Sequence, residues 1–104
     1  MRKTAMIYIK EGNREIDQKL ICQIHALENG YDVVDIAKSF DEVDNCDVML
    51  VTNRASVSKD EVGYHVIAND LKERGIEIEI VITKENVGRY LDLITSGFKK
   101  VKAK

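Results

Sequence analysis

Residues able to do chemistry gather at two places in this 104-residue chain. The first is Lys10-Glu11-Gly12-Asn13, which follows the apolar run Ala5–Ile9 and precedes a helical pattern. A turn from strand into helix offers free backbone N–H groups, and these attract anions. Glu11 beside the turn would repel a phosphate, and neither G-x-G-x-x-G nor G-x-x-x-x-G-K-[ST] is present. Taken alone, those four residues read as a solvated turn. The second place is Ala55-Ser56-Val57-Ser58-Lys59, after the apolar run Asp47–Thr52. Ser58 opens Ser-Lys-Asp-Glu, the pattern of a helix capping box, and Ser56 has no evident base beside it. Two strands running the same way in a sheet would bring both places to one edge.

Other reactive side chains are scattered. His25 and His65 sit in separate helical patterns and read as ordinary surface or boundary histidines. Cys22 and Cys46 lack the close Cys/His neighbours of a metal site and read as thiols near the core rather than a disulfide. No metal and no cofactor is expected.

The elements that must position these residues follow from periodicity. Ala5–Ile9, Tyr31–Ala37 and Asp47–Thr52 read as strands, and Glu77–Ile82 as a fourth with Glu77 and Glu79 on one wet face. Ile16, Leu20, Ile21, Ile24 and Leu27 recur at helical spacing over Glu15–Asn29, with Gly30 as the stop. Val62, Val66, Ile67 and Leu71 predict the buried stripe of a second helix, ended by Gly75. Val87, Tyr90, Leu91, Ile94, Phe98 and Val101 trace a third. Lys38–Cys46 has room for one helical turn, around Phe40 and Val43. The alternation predicts an α/β domain with a mainly parallel four-stranded sheet, three-layered α/β/α or partly open, because the ten-residue link is near the lower limit for a parallel crossover. No internal repeat or linker interrupts it, so residues 1–104 are expected to form a single domain.

Composition narrows the class. A chain 44% hydrophobic and 33% charged suits a soluble globular protein. No apolar run approaches the roughly 20 residues needed to cross a bilayer. The opening MRKTAMIYIK is too short in its apolar part for a signal peptide, so a cytoplasmic location is expected. The net charge is −2, with the basic residues clustered only in the tail 99–104 (Lys99, Lys100, Lys102 and Lys104). Weak or no direct DNA binding follows, since duplex binders carry a basic excess or stripe. Cations at a helix C-terminus also complement its dipole.

Three stretches occur in a telling order across residues 5–82: Tyr8-Ile9-Lys10-Glu11-Gly12-Asn13; Gln23-Ile24-His25-Ala26-Leu27 with Gly30-Tyr31; and Asp47-Val48-Met49-Leu50-Val51-Thr52, with Leu71-Lys72-Glu73-Arg74-Gly75-Ile76 behind it. Together they resemble the N-terminal catalytic domain of the serine recombinases, the resolvase/invertase family. Its motifs run Y-x-R-V-S-[ST], Q-x-x-A-L before a helix-ending glycine, and D-V-L-V-V-T. The resemblance implies a resolvase-like fold. It also implies a serine that attacks a DNA phosphodiester, and that step needs a hydroxyl nucleophile.

Carried over residue by residue, the chemistry fails. The serine position is Gly12. The arginine two residues earlier is Lys10, a point charge without the bidentate fork. Where the family has D-R-x-x-R, this chain has Ala55-Ser56-Val57-Ser58-Lys59, and Arg54 is displaced by two positions. Lys10, Gly12, Ala55, Ser56 and Lys59 are thus vestigial positions with no catalytic residue among them. Losing one oriented charge donor costs about 10²–10³ in rate, and losing the nucleophile removes the covalent route. The family's DNA-binding extension is likewise expected to be missing beyond Lys104.

Two enzymatic alternatives remain. Ile9-Lys10-Glu11-Gly12 also resembles the strand-Glu-Gly signature of toprim domains, but the third strand ends Thr52-Asn53-Arg54 without the D-x-D that should hold a metal. Ser56 could act as a displaced nucleophile in a cryptic recombinase. The preferred expectation is an inactive recombinase-like domain working as a homodimer, or as a heterodimer with a recombinase. Its dimer helix would carry Val87, Tyr90, Leu91, Ile94 and Phe98, and it would modulate DNA recombination.

Overall fold

A computed structural model describes residues 2–12 and 14–90. Strand β1 (Thr4–Tyr8) leads into helix α1 (Glu15–Asn29), then strand β2 (Asp32–Ala37) and strand β3 (Val48–Val51). Helix α2 (Glu61–Glu73) and strand β4 (Glu77–Ile80) follow. All strand pairs are parallel, in the order β2-β1-β3-β4. The register between β1 and β2 slips between Ala5 and Met6, so Val33 and Asp35 of β2 face consecutive residues of β1.

The pleat sorts the sheet into two cores. Ala5, Ile7, Val48 and Leu50 point one way and pack with Ile21, Cys22 and Ala26 of α1. Met6, Tyr8, Met49 and Val51 point the other way and meet Leu71 of α2, with Tyr64 and Ile67 at its margin. The protein is a three-layer α/β/α domain. Glu77–Ile80 obeys the same alternation. Ile78 and Ile80 join the α2 core, and Glu79 turns toward α1, where its carboxylate meets His25 and accepts from the Tyr31 hydroxyl at 2.9 Å. The face expected to be wet is therefore half-buried at Glu79.

The short link between β2 and β3 holds one 3-10 turn, Phe40–Glu42, which helps cover the α2 side of the sheet. Phe40 stacks on Tyr8 with ring centroids 4.4 Å apart, and Val43 is fully buried. Arg74, at the end of α2, donates to the carbonyls of Phe40 and Val43 and pairs with Asp70 at 2.7 Å. A single guanidinium thus ties the link to the helix beside it.

Each helix uses only part of its predicted apolar stripe: Ile21 and Ile24 of α1, and Ile67 and Leu71 of α2, face the cores as expected, and the rest do not. In α1 the inward residues are Gln18, Ile21, Cys22 and Ala26, whereas Ile16 is 83% and Leu27 78% exposed, with Leu20 also exposed. In α2 Leu71 is buried, and Val62 and Val66 lie on the solvent side. Position on the helix decides this: residues 18, 21, 22 and 26 share one arc, and residues 16, 20 and 27 lie opposite. The capping box also shifts. Asp60, not Ser58, is the N-cap of α2, its carboxylate accepting from Gly63 N–H at 2.6 Å.

Residues 87–90 are helical. Tyr90 is buried in the α1 core, and Arg89 pairs with Glu28 of α1. Of the residues expected on a dimer helix, Tyr90 is therefore used inward and Val87 is exposed. Leu91, Ile94, Phe98 and the basic tail lie outside the described residues.

Leu71→Ala is expected to cost about 2–5 kcal/mol in denaturant unfolding. Ile16→Ser, on the outer arc of α1, should stay within about 0.5 kcal/mol. Burial pushes the Cys22 thiol up to about 12. Native protein given an alkylating reagent at about pH 8 should therefore label Cys46 first, and Cys22 only on unfolding, as mass spectrometry of timed samples would show.

Candidate functional site

Strand β1 ends at Tyr8, and its chain runs on through Ile9 to Lys10. There the side-chain amide of Gln18, one turn into α1, takes both backbone bonds: it accepts from Lys10 N–H at 2.9 Å and donates to Lys10 C=O at 3.0 Å. Gln18 is buried, so this pair of hydrogen bonds fixes where the turn begins. The chain then reverses through Gly12 at φ 89 and Arg14 at φ 50. Only glycine adopts the first of these freely. Gly12 N–H donates to Glu15 at 3.2 Å, and Glu15 also pairs with Lys38 at 2.9 Å. These contacts, with Lys38 foremost, hold the Glu15 carboxyl below its ordinary range. Arg14 is the N-cap of α1, gives no side-chain cap, and pairs with Asp17 at 2.7 Å.

The second group of residues arrives from β3. Thr52 is buried, and Asn53 caps a 3-10 turn, Arg54–Ser56, by accepting from Ser56 N–H at 2.9 Å. The Ser56 hydroxyl, also buried, donates to the same Asn53 oxygen at 3.1 Å and lies 3.4 Å from the Thr52 hydroxyl. Arg54 is committed elsewhere, paired with Glu61 at 2.7 Å and lying 4.2 Å over the Tyr64 ring. It takes no part in the cavity described next.

Both groups meet in a cavity of about 440 Å³ at the C-terminal edge of β1 and β3. Lys10, Arg14, Asp17 and Gln18 line one side; Thr52, Asn53, Ala55, Ser56 and Lys59 line the other, with Ile82 at the margin. Four vestigial positions read from the sequence, Lys10, Ala55, Ser56 and Lys59, are thus brought together. Gly12 lies in the turn beside them and is not part of the lining, nor is Glu11. The periodicity did not single out Arg14, Asp17, Gln18, Thr52 or Asn53. Gln18 left one signal, since a polar residue one turn before Ile21 and Cys22 belongs to the arc that faces the sheet.

The cavity has basic groups and hydroxyls, but among the described residues of its lining no base is bonded to a hydroxyl: Ser56 donates to the Asn53 amide oxygen and lies 3.4 Å from Thr52. Among the described residues, no group of three or more His, Cys, Asp or Glu side chains could hold a metal ion. No described helix is long and apolar enough to cross a membrane.

Gln18→Ala leaves the N–H and C=O of Lys10 without their partner. It is expected to cost about 1–3 kcal/mol in chemical unfolding. Gly12→Ser forces a side chain into the left-handed region and should cost about 1–2 kcal/mol, although no atom stands within 4 Å of the added Cβ.

No protein-family model matches the sequence, and no curated protein does. Among solved structures, the chain is similar to the C-terminal catalytic domain of ISC1926 TnpA, an IS607-like serine recombinase. The two share 23% identity over 94% of this chain and 84% of that one, with a TM-score of 0.61. The likeness is one of fold: the four-stranded parallel α/β arrangement is shared with that domain.

Proposed function

We propose that this domain is a catalytically inactive relative in form of the serine recombinases, acting by association with itself or with a recombinase and so modulating DNA recombination. The observation that carries the reading is the outer arc of α1. Ile16, Leu20 and Leu27 present an apolar stripe to solvent on a helix whose opposite arc already fills the core. Such a stripe on an otherwise charged surface marks an interaction face. Gly12 at the turn and Ala55 in the cavity support inactivity, because neither has a side chain able to attack or to stabilise a phosphoryl group.

A cryptic phosphodiester-cleaving enzyme is the second reading, favoured by one observation: Ser56 lines the cavity together with Lys10, Arg14 and Lys59. A toprim-like reading has less support, since Glu11 is outside that lining and no D-x-D follows β3.

Light scattering after size exclusion at high micromolar concentration is expected to give a dimer, or a mixed complex with an added serine recombinase. Ile16→Asp with Leu27→Asp should return it to monomer at unchanged stability. A strictly monomeric chain that captures no recombinase overturns the association. On supercoiled plasmid the protein is expected to leave DNA intact. Metal-independent covalent attachment lost in Ser56→Ala would establish the cryptic recombinase, and magnesium-dependent nicking the toprim reading.

A further inference from the structure

We infer that the cavity between β1 and β3 is a reversible receptor for a phosphate monoester dianion, held without any bond to the protein being made. The inference goes beyond the association proposed above and rests on that reading only in taking the cavity to be idle as a nuclease.

Charge is the first ground. Each of the five arginines, Arg2, Arg14, Arg54, Arg74 and Arg89, is paired with a carboxylate. Lys10 and Lys59 line the cavity from opposite sides, and among the described residues neither ammonium has an ion-pair partner. Arg14 and Asp17 neutralise one another at 2.7 Å, so the lining keeps the two lysine charges uncompensated. Two point cations suit a dianion, which a phosphate monoester becomes above its second pKa of about 6. The neighbouring acids are partly occupied: Asp17, in the lining, is paired with Arg14, Glu15 is held by Lys38 and Gly12, and Glu11 is not in the lining.

Shape and chemistry of the walls are the second ground. About 440 Å³ is within the range of small-molecule pockets, and too local a basic feature to track a duplex backbone on a protein of net charge −2. Thr52 and Ser56, each more than nine-tenths buried, set hydroxyls in the wall, and Ala55 and Ile82 add apolar surface for the organic part of a ligand. The two hydrogen bonds from Gln18 to the Lys10 backbone and the Asn53 cap hold both sides in place before a ligand arrives, which reduces the ordering cost of binding.

The test is a ¹⁵N NMR titration of the whole chain with inorganic phosphate, with a nucleoside 5′-monophosphate, and with a short duplex lacking terminal phosphates. Saturable shifts at residues 10–18 and 52–59 are expected with one or both monoester probes. The affinity should rise as pH passes from about 5.5 to 7.5 and the ligand becomes dianionic. Phosphate alone would point to a free-anion site, and a preference for the mononucleotide to a phosphorylated small molecule. Lys10→Gln with Lys59→Gln should weaken binding at least tenfold, Lys10→Arg with Lys59→Arg only a few-fold, and Lys19→Gln with Lys72→Gln not at all. Amide spectra of each variant establish that it is folded. Equal shifts with chloride, no shift at millimolar phosphate, or unchanged affinity in the double glutamine variant overturns the inference. Tighter binding of the unphosphorylated duplex at the same residues also overturns it, and assigns the cavity to DNA. Oligomeric state and plasmid integrity are read separately, so failure here leaves the association untouched, and the reverse.

Discussion

The amide of Gln18 governs the site. A strand that ends under a helix must satisfy the N–H and C=O of its last residues, because water reaches them poorly and an unmet backbone group costs about 1–3 kcal/mol. Gln18 meets both at Lys10 with one side chain. The path of the turn, the left-handed conformations at Gly12 and Arg14, and the position of Lys10 over the cavity all follow from where that amide holds the chain. A shorter or charged residue at position 18 would satisfy only half of this demand.

Glycine at position 12 has a conformational explanation: its φ of 89 is a conformation that serine adopts only at a cost. The turn in this protein is therefore shaped for a residue without a side chain. On the β3 side the Ser56 hydroxyl donates to Asn53 and lies 3.4 Å from the Thr52 hydroxyl, an arrangement that fixes a wall rather than activates an oxygen.

Much of the architecture was legible because glycines and apolar runs mark it clearly. Gly30 closes α1 where the spacing said it would, and Ala5–Ile9 and Asp47–Thr52 bracket their strands within a residue or so. The junction of Lys10 with Ser56 and Lys59 followed from parallel strands sharing an edge. The buried faces were legible only in part: Ile21, Ile24, Ile67 and Leu71 turn inward as their spacing predicts, and Val62, Val66 and three residues of α1 do not. Ile16, Leu20 and Leu27 repeat at helical spacing as well as Ile21, Cys22 and Ala26 do, and periodicity cannot say which arc meets the sheet. Gln18 carries little signal in the sequence, because amides are common on helix surfaces. Ser58 and Asp60 both precede Glu61 with suitable chemistry, and the helix start was settled by the carboxylate nearer to Gly63.

The slipped register between β1 and β2 has a consequence for how copies of this protein can meet. β2 is an outer strand, and Asp32 through Asp35 are all exposed. An outer strand with a regular row of free amides and carbonyls invites another chain to extend the sheet. Here the slip disturbs that row, and two aspartates line it, so an incoming edge would meet mismatched spacing and repulsion. Fibre-like growth is discouraged along this border.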